Sequence, residues 1–590
     1  MTKFSTLLLF LLSTLCLNAQ NINIPDVHFK KALVDNSSIN TNGDREISEN
    51  EAAATKSIDV HNKRISNLSG IEYFVNITQL FCSENQLTYL DLSSNTDLIK
   101  LECYRNNLIS LNLTNNTKLT SIKCGINKLT NLDVSNNTSI THLSCGENEI
   151  TSFDLTNNIA INYLSCSYNK LTNLELSKNT AITDIACRDN EISSLDLTNN
   201  IALTYLSCAY NKLTNLDLSK NTAIKSLSCH YNQLSNLNLT KNTAITGLWC
   251  GGNQLTNLDL TKNTEIKHLS CFSNQLTSLD LTKNTAFKNL SCGNNKLTNL
   301  DLTMNKAITD LDCFSNQITN LDLTMNTAIK SLNCSNNPLK SLELSNNTAI
   351  IFLGCDNNQL TNLDLTKNTA IKSLGCSNNQ LTSLDLTKNT ALNLLLCNKN
   401  KFPLSELIKI KECFPELEYT YSKNIYSELE EAEEYQVDYS SEAMIDGNKT
   451  SFKWFKNRPE ASSDDIITDN EAIFTFMKNG IYHCEMTNPA FPKLVIKTNK
   501  IQIGTITGID DTLENSIQVY PNPVDTEMAI KFAKSEKRTI RIFDLQGRLK
   551  LEKKTTSNSE RLNISNFKSG MYLMNVQSQN ESFTYKIIKK

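Results

Sequence analysis

The stretch LTYLSCAYNKLTNLDLSKNTA, Leu203 to Ala223, decides the fold. Its skeleton, L-x-x-L-x-C-x-x-N-x-L-x-x-L-x-L-x-x-N, returns every 21 residues, and sixteen cysteines keep that step from Cys82 to Cys397. A fixed period of this length is the signature of a solenoid. Each unit is too small to bury its own apolar side and must stack on its neighbours. In Leu206-Ser207-Cys208, Leu and Cys point one way and Ser the other, so the apolar side faces the coil interior. Leu216-Asp217-Leu218 alternates likewise, which predicts a second short parallel strand on the opposite wall.

This skeleton resembles the leucine-rich repeat, with Cys at an inward apolar position. It is similar to the bacterial class that nests a half-repeat within 21 residues. The fold class expected is therefore mainly β: a leucine-rich-repeat parallel β solenoid over residues 57–415. With strands roughly 4.8 Å apart, the repeated coils extend on the order of 75 Å, with little curvature. The cysteines are expected to be free and buried. Cys is small and apolar, and side chains projecting in parallel match the disulfide dihedral poorly. The Asn three residues after each Cys, such as Asn211 and Asn232, is expected to satisfy backbone groups at the turn. It is also expected to bond to its stacked copies.

Outside the repeat the chain changes character. MTKFSTLLLFLLSTLCLNAQ, residues 1–20, reads as a signal peptide, and no later stretch reaches the length of a membrane helix. Residues 21–56 read as an N-terminal cap, with Asp26 opening a helix through Phe29 and Leu33. Ile58-Asp59-Val60 through Phe74 resembles the entry repeat of internalin-like proteins. Asn40 to Glu51, NTNGDREISENE, resembles a calcium loop of the EF-hand or dockerin kind. The ligand positions fall on Asn40, Asn42, Asp44, Glu46, Ser48 and Glu51. Asn at the first ligand and Arg45 at the usual glycine depart from the pattern and imply weak calcium at most. No other cofactor is implied.

After Cys397 a short helix and turn over 402–415 are expected to close the last coil. Residues 435–504 resemble an immunoglobulin-like β-sandwich. Trp454 is the core tryptophan, and Tyr482 stands two residues before Cys484, although the usual first Cys is missing. Residues 517–590 resemble the C-terminal sorting domain of type IX secretion. The motifs are Tyr520-Pro521-Asn522-Pro523, Asp544-Leu545-Gln546-Gly547-Arg548, Gly570-Met571-Tyr572 and the basic finish with Lys586, Lys589 and Lys590. That resemblance implies export across the outer membrane of a Gram-negative bacterium and engagement of the type IX machinery. Two small β-sandwich domains thus follow the solenoid.

The net charge of -4 offers no field for nucleic acid, which is not an expected partner. The six histidines are scattered through different segments, and no catalytic motif is present, so the chain reads as a non-enzyme. One wall repeats almost unchanged. The other varies at its outward positions, as a recognition surface should. Towards the middle it turns aromatic, with Tyr163, Tyr168, Tyr205, Tyr210, Tyr231, Trp249, Phe272 and Phe314. Exposed aromatics in one band point to a binding patch. The partner expected is an extracellular protein. A glycan ligand, or a scaffolding role beside a surface enzyme, is the alternative.

Overall fold

The computed structural model describes residues 20–152, 154–413, 430–431, 436–456, 459–468, 471–491, 494–498, 500–503, 517–520, 523–532, 535–545, 547–578 and 582–590. The expected signal peptide lies outside the described residues, apart from Gln20, and so does most of the acidic run from Glu428 to Glu434. By contacts the chain forms two units, one holding the repeats and the other most of the C-terminal sheets.

The repeats form one sheet of seventeen three-residue strands, from Ser57–Asp59 to Leu394–Leu396. Each strand pairs in parallel with the next, and from the second strand onward the register advances by one 21-residue repeat, as in Leu206↔Leu227 and Leu227↔Leu248. The interior is leucine, isoleucine and cysteine. In the coil starting at Leu203, the residues Leu203, Leu206, Cys208 and Leu213 are fully buried, with Leu216 and Leu218 nearly so. Each such leucine contributes roughly 2 kcal/mol by leaving water. All sixteen ladder cysteines are free and buried. Burial pushes the Cys124, Cys187, Cys229 and Cys271 thiols up to about 12.

Two details differ from the sequence reading. The second wall forms no strand: Leu216-Asp217-Leu218 is extended but outside the sheet. Side chains take the place of a ladder there. The Ser219 N–H donates to Asp217 Oδ1 at 2.9 Å, and Asn221 Nδ2 donates to the Leu197 and Asn200 carbonyls at 3.0 and 2.9 Å. Local Asp and Asn bonds compete with strand pairing, and here they win. The asparagines after the cysteines, in turn, do not bond to one another. Asn211 Nδ2 donates to the Cys187, Cys208 and Ala209 carbonyls, and Asn211 Oδ1 accepts from the Ile192 N–H at 3.0 Å. Each one staples its own coil to the preceding coil.

At the N-terminal end a helix spans Val27–Val34. The Asp26 carboxylate caps it, accepting from the His28 and Phe29 N–H groups. The same carboxylate accepts from Ser66 and Asn67, which fastens the cap to the first coil. At the other end the helix Leu404–Cys413 buries Leu404, Leu407 and Ile410.

In the second unit, Ser451–Lys456 pairs antiparallel with Gly480–Thr487, placing Trp454 opposite Cys484. Trp454 is buried between the edges of Phe474 and Phe476, and Tyr482 Oη donates to the Lys478 carbonyl at 2.8 Å. Further on, Arg538–Asp544, Leu549–Thr555, Gly570–Gln577 and Ser582–Lys589 form one sheet, and Ile517–Tyr520, Glu527–Phe532 and Ser559–Asn563 form another. Met528, Ile530, Ile540, Ile542, Met574 and Ile587 share their core.

Candidate functional site

The strands present their first and third residues outward, and the loop after each cysteine continues that face. Every residue two positions after a ladder cysteine has a positive φ, including Tyr168 at 57°, Tyr210 at 51° and Tyr231 at 52°. This left-handed conformation costs a non-glycine residue about 1–2 kcal/mol. It throws the side chain across the face towards the neighbouring coil.

The result is a stack. Tyr210 lies against Tyr231 with ring centroids 4.5 Å apart and planes 28° from parallel. Tyr231 meets the edge of Phe272 at 5.8 Å. Arg188 sits over both Tyr168 and Tyr210, at 5.4 and 4.7 Å from their ring centroids, and pairs with Asp189 at 2.7 Å. His230 touches Tyr210 and Tyr231 with its ring and bonds to Ser228 Oγ through Nδ1 at 2.9 Å. Burial, then the nearby Arg188, lower the His230 pKa. Tyr168, Tyr210 and Tyr231 stay exposed, at 46%, 36% and 41%.

The other aromatics expected on this face divide. Tyr163 and Tyr205 are exposed at strand starts, and Tyr163 stacks on His142 at 6.0 Å. Trp249 is exposed and folds over Gly247 of its own strand, where a Cβ would lie 2.6 Å from the indole. Phe272 and Phe314 are half-buried, each laid over a glycine of the preceding coil, Gly251 and Gly293. Sequence reading missed two members. Arg188 occupies the register position of His230, Phe272 and Phe314, one residue after the cysteine. Phe352, exposed at 41%, occupies that of Tyr163 and Tyr205.

The calcium-loop residues are engaged within the cap. Glu51 Oε1 accepts from the Thr41 N–H and hydroxyl and the Asn42 N–H, and Oε2 from the Ser48 N–H and hydroxyl. These bonds close a capping box on the helix Glu49–Ala54. Asn40 and Asn42 Oδ1 and Asp44 Oδ1 accept loop N–H groups, and Glu46 pairs with Lys30 at 2.6 Å. Arg45 takes φ 67° where a calcium loop usually has glycine. A cation would have to replace several of these partners. Among the described residues no three His, Cys, Asp or Glu side chains converge on a point.

On the opposite wall the aspartates serve their own turns. Asp280 and Asp322 accept from the N–H and hydroxyl of the Thr two residues on, which lowers both pKa values. Lys283 also lowers Asp280, but more weakly than the Thr282 bonds do.

In the C-terminal sheets, the turn after Asp544 is held by its carboxylate. Burial raises its pKa, but bonds from the Arg548 N–H, the Arg548 guanidinium and Lys550 outweigh that and bring it to about 2. Tyr572 is buried and donates to the Lys568 carbonyl at 2.9 Å. Lys589 is buried, and the Lys590 N–H donates to the Val524 carbonyl. Pro521, Asn522 and Gln546 lie outside the described residues.

A parallel sheet of 21-residue coils, leucine and cysteine inside, a divergent face outside and a sandwich at the C-terminus together define an exported leucine-rich-repeat protein. Residues 518–590 match the secretion system C-terminal sorting domain. Its export is by type IX secretion, to the extracellular or outer-membrane surface. No helix among the described residues is long and apolar enough to cross a membrane. A 50-residue segment is 46% identical to internalin J of Listeria monocytogenes, a match spanning 8% of this chain and 6% of that protein. The functional domain of internalin J, which includes a cysteine ladder, superposes with a TM-score of 0.62 at 28% identity, covering 82% of this chain and all of that one. A leucine-rich-repeat protein of Leptospira interrogans shares the fold, with a TM-score of 0.52 at 20% identity over 63% of this chain and 97% of that one.

Proposed function

We propose that this protein is a non-catalytic, surface-displayed or released binding protein that recognises an extracellular protein through the strand face of its solenoid. The observation that carries this is the Tyr168–Arg188–Tyr210–Tyr231–Phe272 stack. It is an exposed aromatic surface with a guanidinium set between two rings, on the wall where the repeats differ from one another. Tyrosine and arginine are the residues that dominate protein interfaces, because both bring large contact area with a polar tip. Residues 435–504 act in this reading as an immunoglobulin-like spacer, supported by the buried Trp454 and the Tyr482 bond to Lys478. The cap loop, with weak calcium at most, closes the solenoid rather than sensing the ion.

The test is affinity capture with the mature ectodomain as bait, repeated with an Arg188→Ala, Tyr210→Ala, Tyr231→Ala variant. Loss of wild-type partners with unchanged circular dichroism is expected. A variant that retains every partner would refute the stack as the binding face. Hydrolytic turnover by the purified protein would refute the non-catalytic reading.

A further inference from the structure

Beyond the tyrosine–arginine stack, towards the C-terminal end of the same face, lies a shallow groove. Trp249 stands at one end and Phe352 at the other. Five successive strand pairings separate them, which puts them about 24 Å apart at ordinary strand spacing. The floor is built from short polar side chains: Ser270, Asn289, Ser291, Asp310, Asp312 and Asn333.

We propose that this groove is a carbohydrate subsite, separate from the protein-binding stack, that takes a neutral oligosaccharide laid along the strands' stacking direction. Two features support this ligand class. The Trp249 indole reaches over Gly247, where a Cβ would lie 2.6 Å from it, and remains exposed, as does Phe352 at the far end. Flat, exposed aromatic faces suit the C–H faces of sugar rings. Between the two aromatics the floor offers hydroxyls, amides and carboxylates, the partners that sugar hydroxyls need on both the donor and the acceptor side. Asp312 brings a half-buried carboxylate to this floor, with Ser291 Oγ donating to its Oδ2 at 3.4 Å.

The alternatives fit less well. An extended peptide that adds to a sheet needs an unpaired strand edge, and every strand along this floor is paired on both sides. A cationic segment would meet Asp310 and Asp312. It would also meet Lys267, Lys288 and Lys330, exposed one residue ahead of the strands, which oppose a cation. A long, hydroxyl-rich ligand answers the groove's length, its exposed aromatic ends and its short polar floor together.

The chain has two tryptophans, and the other, Trp454, is buried. Emission from a Trp454→Phe background therefore reports on Trp249 alone. The experiment titrates the full chain in that background with a panel of neutral hexasaccharides covering α- and β-linked glucose, mannose, xylose and N-acetylglucosamine. At least one should give a saturable emission change at millimolar sugar or below. Binding should weaken about tenfold in Phe352→Ala and in Asp312→Asn. It should stay within about twofold in Tyr210→Ala, Tyr231→Ala and in high salt. Calorimetry reads Trp249→Ala, where tenfold weakening is also expected. Silence across the panel would overturn the proposal, as would sugar binding that survives in Trp249→Ala, Phe352→Ala. So would salt-sensitive binding of an arginine-rich control peptide in place of sugar. Failure here leaves the captured protein partners of the tyrosine stack unaffected, so the two readings fall separately.

Discussion

The two asparagine columns look alike in sequence, yet the structure assigns them different weights. Asn211, three residues after Cys208, is buried and gives the Ile192 N–H its acceptor at 3.0 Å. Asn211→Ala leaves that buried N–H without a partner. It also strips the Ala209 carbonyl of its asparagine donor, whereas Cys187 and Cys208 keep second donors in Asn190 and Asn232. An orphaned buried donor costs about 1–3 kcal/mol, and each lost net bond about 1 kcal/mol, so the substitution should cost about 3 kcal/mol. Asn221, on the second wall, is more deeply buried, but its removal orphans nothing. The Leu197 carbonyl keeps the Asn200 N–H and the Asn200 carbonyl keeps the Leu203 N–H, while Asn221 Oδ1 has no partner to lose. Asn221→Ala should cost about 1 kcal/mol.

The assay is urea unfolding of the two variants, read with native-state hydrogen exchange. Coils contact only their neighbours, so the damage should be local, with protection lost first at Ile192 and the adjoining coils. If Asn221→Ala proves as costly as Asn211→Ala, the stapling argument is wrong, and the asparagines act by packing alone.

Three further outcomes follow from the same geometry. Iodoacetamide at neutral pH should modify the half-exposed Cys413 and spare the ladder, whose thiols are buried and held well above the ordinary thiol range by that burial; rapid ladder labelling, read by peptide mass spectrometry, would contradict the buried core. Asp280, Asp301 and Asp322 have folded pKa values below their unfolded ones, held down chiefly by the N–H of the Thr two residues on. Their contribution is present above the ordinary carboxyl range, near pH 4, and is lost as pH falls through the folded values. Asp312, raised by burial, works in the opposite direction but stands alone against the column, so Tm should fall on acidification; a flat or rising Tm would refute this. Calcium titrated into the purified chain should give little heat, and heat with micromolar affinity would show that Glu51 abandons its capping box.

Much of this was readable in the sequence, for identifiable reasons. A 21-residue period and a two-residue alternation fix which side chains go inward, so the core leucines, the buried cysteines and the outward Trp249 follow directly. Asp26 could be read as a cap because its carboxylate has one obvious local task. The second wall was misread because alternation tells where side chains point and not what satisfies the backbone between them. There, Asp217 and Asn221 supply the bonds that a strand partner would have supplied. Phe352 shares the register of Tyr205 but stands several coils beyond the aromatic cluster at the middle of the array, so no neighbouring aromatic marks it in the sequence. The insertion of Arg188 between Tyr168 and Tyr210 depends on left-handed turns that sequence alone does not display.

Those turns also explain how one scaffold carries a variable face. The bonds that hold the coils together come from the strand backbone, the two asparagine columns and the leucine–cysteine core. The five outward register positions, from four residues before each cysteine to two after it, add little to them. A change there carries little penalty to the stack. The position two after the cysteine must adopt a positive φ whatever occupies it. Along the later coils it holds Asn294, Asn336, Asn357 and Asn378, residues that tolerate this conformation. At Tyr168, Tyr210 and Tyr231 it holds large rings that do not tolerate it well, and those rings make the stack with Arg188. On the proposed binding role of the stack, that strain is accepted for what the rings meet outside the fold, and replacing Tyr210 or Tyr231 by Asn should relieve it while weakening capture of a partner.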